Sequence, residues 1–302
     1  MPIDRLTAAI EDGRPLLVLS PHLDDAVLSC GALLSHACRR VPVTVATVFS
    51  EGAPPPYTLS ARRFLKQTGA GDAEQLYEAR RAEDREVLEG MGVGWLHAGF
   101  TEALFRREPE PPQAGLSRSL ALIGRLLPEV VHLYPTYRLH ITSGRLAARD
   151  VETLHRVCTL TDRLLHPQDD PAARGSSRTA ARAKAQQTLL LAPLAVGGHV
   201  DHLLVRTAAE LAESPVAYYS DFPYNRRHTA DRRFVSRHTL VPFEWTQGLA
   251  AKEALVRGYR TQVDALFPGG RIPTAPEVYL MPAGPGASTP TPAEPVPPGG
   301  MG

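Results

Sequence analysis

The chain has 302 residues with 33 basic and 32 acidic side chains, a formal charge of +1, and this near-neutral balance argues against a nucleic-acid-binding or membrane-surface protein. Apolar residues make up 43%, enough at this length to bury a large core, so wholesale disorder is excluded. The 28 prolines and 24 glycines exceed the average share without reaching low complexity, so the excess is local.

The first apolar run, Pro15 to Leu19, is far too short to span a membrane, and Asp4 and Glu11 break any signal-peptide pattern. Cys30, Cys38 and Cys158 lack metal-ribbon spacing and read as reduced, packed thiols. These features predict a soluble, non-exported, cytoplasmic protein and leave homo-oligomerisation open.

Along the chain, Leu16–Leu19 reads as a buried strand, Ser20 to Asp25 as a polar turn, and Ala26 to Leu34 as an apolar helix. Val43–Val48 is a β-branched strand, Glu51–Asp72 a mobile loop marked by Pro54-Pro55-Pro56, and Glu74–Met91 an amphipathic helix. The alternation continues with a strand at Gly94–His97, a helix at Leu116–Leu127, a strand at Val130–Tyr134 and a helix at about Val151–Leu165. A strand at Thr188–Leu191, a helix at Leu203–Leu211 and a strand at Val216–Tyr219 follow. This pattern predicts an α/β fold, Rossmann-like and doubly wound, with a mostly parallel sheet and helices on both faces. One domain is expected over residues 1–281, with a solvated insertion at about 166–187 and a disordered Pro/Gly-rich tail at 282–302.

Two clusters carry the chemistry. His22, Asp24 and Asp25 follow the first strand, where open parallel sheets place ligands. Gly197-Gly198-His199-Val200-Asp201-His202 follows another apolar strand and opens another helix. Each cluster alone also fits an ordinary helix cap or a hydrated turn. Two such clusters at one sheet edge can meet, and two imidazoles with one carboxylate suffice to hold Zn²⁺ while leaving positions open. His132 and His140 lack ligand spacing, and Asp169-Asp170 lies in the solvated insertion, so none of these is expected to bind metal.

Ser20-Pro21-His22-Leu23-Asp24-Asp25 resembles the H-x-D-D signature of the PIG-L/LmbE-like zinc-dependent N-deacetylases, and His199-Val200-Asp201-His202 resembles that family's H-x-D-H motif. Arg80 and Glu83 ahead of Met91-Gly92, the segment Lys252–Gln262 with Tyr259, and a final strand at Pro276–Tyr279 extend the likeness over most of the chain. The resemblance implies a metal-dependent amidohydrolase that removes an N-acyl, most often N-acetyl, group from an N-acetylglucosamine conjugate, a small-molecule amino-sugar substrate. It implies His22, Asp25 and His202 as zinc ligands, one ion per chain with other divalent metals as substitutes, and Asp24 as general base. It implies His199 as a cationic partner to the oxyanion or leaving amine, its ring held by Asp201, and Arg80 and Glu102 as substrate contacts.

The chain departs from the family at Gly197, where some members carry a tyrosine at the oxyanion, and at Glu102, where an aspartate is common. Two alternatives share the residue types. A non-haem iron oxygenase uses a similar facial triad but on a β jelly roll. A non-catalytic ligand-binding module is the other, although Pro21-His22-Leu23-Asp24 replaces the glycine-rich turn of a dinucleotide site.

Overall fold

A computed structural model of the chain describes residues 5–108, 127–166 and 188–283. Its central strand, β1 (Leu16–Ser20), is an apolar run buried at every position. Leu16 and Val18 face one core, while Leu17 and Leu19 face the other. Burial on both faces is what a strand inside a parallel sheet requires.

β1 pairs in parallel with β2 (Val43–Thr47) on one side and β4 (Leu189–Pro193) on the other. Outside these lie β3 (Gly94–His97) and β5 (Val216–Tyr219), both parallel. β7 (Glu277–Pro282) and β6 (Leu240–Trp245) close the sheet antiparallel, giving seven strands in the order β3-β2-β1-β4-β5-β7-β6. The chain reverses its winding direction between β1 and β4, so their carboxyl ends flank the crevice where such sheets bind ligands. The sheet is α/β, not the jelly roll that the iron-oxygenase alternative needs.

α1 (Arg5–Glu11) precedes β1, α2 (Asp25–Ala37) follows it, and α4 (Ala73–Gly90) connects to β3. α5 (Val151–Leu165) and α6 (Val200–Leu211) pack together beside β4. α7 (Arg232–Arg237) precedes β6. No described helix is long and apolar enough to cross a membrane, and all three cysteines are free thiols.

Three elements differ from expectation. The loop expected at Glu51–Asp72 contains α3 (Leu59–Thr68), started by Thr58, whose side chain accepts the Ala61 N–H, and stopped by Gly69 in the left-handed conformation. Only Ala61 and Leu65 of this helix are buried, so its apolar stripe is too narrow to stand out in the sequence. The strand expected at Val130–Tyr134 is a short 3-10 turn at Pro128–Val130 and a single bridge between His132 and Arg107. Its amides serve the neighbouring loop instead of the sheet, with Leu133 N–H donating to Arg106 O. The helix expected over Lys252–Gln262 is two, α8 (Leu249–Val256) and α9 (Arg260–Leu266). They break at Gly258, where a Cβ would stand 2.4 Å from Val87 Cγ2. The helix expected at Leu116–Leu127, the insertion and nearly all of the tail lie outside the described residues, although β7 runs on to Pro282.

Candidate active site

The loop after β1 folds on its own side chains. Ser20 Oγ donates to His22 O at 2.7 Å and accepts the Ala26 N–H at 3.0 Å, while His22 N–H donates to Asp25 Oδ2 at 2.9 Å. These bonds start α2 at Asp25 and hold its carboxylate against the preceding imidazole. The turn after β4 ends at His199, the N-cap of α6, which projects Asp201 and His202 into the same crevice. Gly198, at φ +70°, brings its backbone against Gly144, whose N–H donates to Gly198 O at 3.0 Å. Pairing of β1 with β4 therefore brings together two motifs almost 180 residues apart in the sequence.

Asp25 Oδ2 lies 3.1 Å from His22 Nδ1 and 3.2 Å from His202 Nε2. Ligands on a tetrahedral zinc with bonds of about 2.0–2.1 Å stand about 3.3 Å apart, so these two edges match a shared ion. Ring nitrogens of His22, His199 and His202 also lie within 4.8 Å of one another, a second possible donor set. Two imidazoles and a carboxylate are a fitting donor set for zinc.

Further carboxylates hold the rings from behind. His202 Nδ1–H donates to Asp221 Oδ1 at 2.6 Å, and Asp221 Oδ2 accepts the Val196 N–H at 2.8 Å. His22 Nε2 lies 3.2 Å from Asp201 Oδ2, whose carboxylate also takes the Ala103 N–H at 2.8 Å and Arg106 Nη2 at 2.6 Å. Arg106 in turn reaches Asp150 at 3.1 Å. Carboxylate–imidazole pairs of this kind fix ring orientation at metal centres.

This arrangement corrects two expectations. The Asp201 carboxylate engages His22, Ala103 and Arg106, not the His199 ring; only its backbone N–H meets His199, donating to Nδ1 at 3.2 Å. Nor is His199 cationic. Burial and the neighbouring His22 push it well below its ordinary value, and with Nδ1 acting as acceptor the ring proton sits on Nε2. His199 is thus a neutral N–H donor.

The remaining electrostatics separate the acids. Burial works to raise Asp25, yet His202 and His22 hold its carboxyl far below its ordinary value. Asp24, also buried, is pushed up to about 7 by desolvation and by Asp25, against the pull of Arg80 and His22. Two adjacent carboxyls with opposite shifts suit one to be a ligand and the other to exchange protons near neutrality.

α4 presents Arg80, Glu83 and Asp84 on its buried stripe. Arg80 Nη1 lies 3.8 Å from Glu102 Oε2, and Tyr77 donates its hydroxyl to Glu102. Arg80 and Glu102 are therefore a buried pair beside Asp24 and His22. Glu83 accepts from Thr261 N–H and Oγ1, while Asp84 takes His97 Nε2 and the Tyr259 hydroxyl, both at 2.8 Å. Gln262 Nε2 donates to Leu23 O at 2.8 Å, tying α9 to the first motif.

His132 and His140 are engaged with Pro128 O and Thr136 Oγ1, and Asp169-Asp170 lies outside the described residues. Asp221, Arg106, Tyr137 and Tyr224 are absent from the sequence-based site. Asp221 had a usable signal, an acid directly after an apolar strand at the same sheet edge. Arg106 had none, because its partners are distant in sequence.

Residues 17–213 match the family model described as PIG-L, GlcNAc-PI de-N-acetylase. A 2′-N-acetylparomamine deacetylase of Streptomyces fradiae is 29% identical over 273 residues, covering 86% of this chain and 77% of its own length. A protein of the same name from Niallia circulans is 25% identical over 284 residues, covering 85% and 84%. Among solved structures, the zinc-inhibited form of teicoplanin deacetylase Orf2 aligns with a TM-score of 0.62 at 22% identity, over 88% of this chain and 97% of that one. The A40926 pseudoaglycone deacetylase Dbv21 aligns at 0.58 and 24%, over 89% and 96%, and both share the fold.

Proposed function

Because the chain belongs to the PIG-L family of de-N-acetylases and is a deacetylase, we propose that it hydrolyses the N-acetyl amide of an amino sugar within a small glycosylated molecule. His22, Asp25 and His202 would hold zinc, which when bound supplies a water acidic enough to ionise near neutral pH. Asp24 receives the proton of the attacking water on its carboxylate as the new C–O bond forms. It then returns that proton to the nitrogen as the C–N bond breaks, leaving acetate and a free amine.

His199 donates its Nε2–H to the carbonyl oxygen as negative charge develops there. Asp201, anchored by Arg106, keeps the His22 ring turned toward Asp25. Arg80 and Glu102 exchange their mutual contact for hydrogen bonds to sugar hydroxyls.

The observation that carries this reading is Asp25 Oδ2 shared at 3.1 and 3.2 Å between two imidazoles, with Asp24 beside it free of any side-chain cap bond. The amino-sugar substrate is favoured by the names of both curated relatives. Elemental analysis together with acetate release from N-acetylglucosamine conjugates tests it. His202→Ala should lose zinc and turnover together. Asp24→Asn should keep zinc while turnover falls about 10²–10⁴-fold; a fully active Asp24→Asn protein refutes the assigned base.

A further inference from the structure

Asp150 stands at the N-cap of α5, yet its side chain makes no cap bond to that helix. The carboxylate turns toward Tyr134 and Arg106 instead. Asp150 Oδ2 accepts the Tyr134 hydroxyl at 2.8 Å and lies 3.1 Å from Arg106 Nη2, the same nitrogen that meets Asp201 Oδ1 at 2.6 Å. One hydrogen of that amino group therefore serves each acid. The other amino group, Nη1, donates to Thr101 O at 3.0 Å, so the guanidinium is fixed at both of its ends. The second oxygen of Asp201 lies 3.2 Å from His22 Nε2 and commits that nitrogen, which leaves Nδ1 facing Asp25.

This line of bonds runs on from Asp150 to the loop beside His199. Tyr134 accepts the Ala147 N–H on its hydroxyl oxygen at 3.1 Å, which closes the loop over residues 134–147. That loop carries Tyr137, with its ring centroid 6.3 Å from that of His199, and bonds the turn before His199 through Gly144 and Gly198. One loop is thus tied to both histidine motifs.

Tyr134, Asp150, Arg106 and Asp201 are all buried. A cation buried between two carboxylates is a poor source of stability, since apolar side chains of the same volume commonly serve as well or better. What the group supplies is direction. Resting on the metal centre of the deacetylase reading above, we infer that Asp150 is a positioning residue for His22, acting through Arg106 and Asp201, and that Tyr134 joins the loop carrying Tyr137 to the same relay. Without Asp150, the Arg106 guanidinium loses one of its anchors, Asp201 follows it, and the His22 ring is less well aimed at the ion.

The test is a double-mutant cycle read on zinc affinity in the full chain, by competition against a chelator of known affinity, with circular dichroism as the fold control. Asp201→Asn should weaken zinc binding about 10–100-fold and Asp150→Asn about tenfold. Because both act on one ring, Asp150→Asn should add no more than about twofold to the loss in Asp201→Asn. Tyr134→Phe should weaken zinc binding about threefold. Its matched control is Tyr279→Phe, since the Tyr279 hydroxyl is also buried and donates to a buried carboxylate, Glu277 Oε2, at 2.9 Å; this variant should bind zinc as the parent does. On an N-acetylglucosamine conjugate, the zinc-saturated Asp150→Asn chain should lose about tenfold in kcat while KM holds within about twofold, because no substrate contact is removed.

Unchanged zinc affinity in Asp150→Asn overturns the inference, as does a loss that adds in full to that of Asp201→Asn. If Asp150→Asn does not fold, the two tyrosine variants decide, and equal zinc affinities in Tyr134→Phe and Tyr279→Phe overturn it. The zinc measurements need no substrate. A chain that binds zinc but releases no acetate loses the deacetylase reading and keeps the relay, whereas a parent chain that binds no zinc loses the relay as well.

Discussion

Asp221 Oδ1 stands 2.6 Å from His202 Nδ1, and both side chains are sealed from solvent. Burial disfavours charge on the ring, yet Asp25 and Asp221 together push His202 up to about 10. Asp221 also fixes which ring nitrogen faces the crevice, since Nδ1 is committed to it. Asp221→Asn should therefore weaken zinc affinity about 10–100-fold without unfolding the chain. Competition against a chelator of known affinity, with circular dichroism as a fold control, measures this; unchanged affinity would remove Asp221 from the metal centre.

Metal uptake should release protons. Burial works against charge on His22 as well, but Glu102, Asp201 and Asp25 raise it well above its ordinary value, so both rings are protonated at pH 7 without metal. Zinc needs neutral imidazole, so binding should expel about two protons per ion and tighten as pH rises. Calorimetry in buffers of different ionisation enthalpy counts them, and a count of zero contradicts the ligand set.

The same shifts set the stability of the metal-free chain. A histidine raised in the fold stabilises fully below its unfolded value of about 6.5 and loses that contribution as pH climbs through its folded value. For His202 that folded value is about 10. Asp24 acts in the same direction at lower pH, because a carboxyl raised from about 3.8 to about 7 costs stability as pH climbs between those two values. The Tm of the metal-free chain should fall from about pH 6.5 to about pH 10, and zinc should flatten the curve. A metal-free Tm that rises across this range would contradict the raised histidines.

Away from the crevice, Lys252 Nζ lies 2.9 Å from Glu277 Oε1, and the same carboxylate accepts the Ala32 and Leu33 amides of α2 at 2.8 and 3.0 Å. Lys252→Met leaves a buried carboxylate without its cation and should cost about 3–5 kcal/mol. Lys252→Met/Glu277→Gln should recover part of that loss. Urea denaturation of both variants checks it, and a cost below about 1 kcal/mol would mean the two amides and the Tyr279 hydroxyl, which donates to Glu277 Oε2 at 2.9 Å, satisfy the carboxylate without the cation.

Gly198→Ala places a Cβ 3.1 Å from the Gly144 backbone at φ +70°. Neither the backbone angle nor the contact suits a side chain, so the turn must shift and carry His199 with it. Turnover should fall about 10²-fold while zinc content holds, because His202 sits inside α6. Full activity would show that His199 needs no such placement.

The α/β alternation, the boundaries of β3 and β5, those of β1 to within one residue, and both histidine–aspartate motifs were legible in the sequence, because they depend on local pattern. An apolar run buried on both faces, and polar residues at its carboxyl end, are readable within ten residues. α3 was hidden because only Ala61 and Leu65 turn inward, and the residues around Val130–Tyr134 have strand-like composition but pair outside the sheet.

Tertiary structure decided how the charges are shared. The motif H-x-D-H suggests that Asp201 serves His199, its neighbour in sequence, whereas the fold sets its carboxylate against His22 and Arg106 from other segments. Asp221 reaches His202 only because β5 lies beside β4. Residue types announce that a metal and a base are available. Which carboxylate holds which ring depends on strand order and on the large cost of leaving a buried charge unpaired, and neither is written in a local stretch of chain.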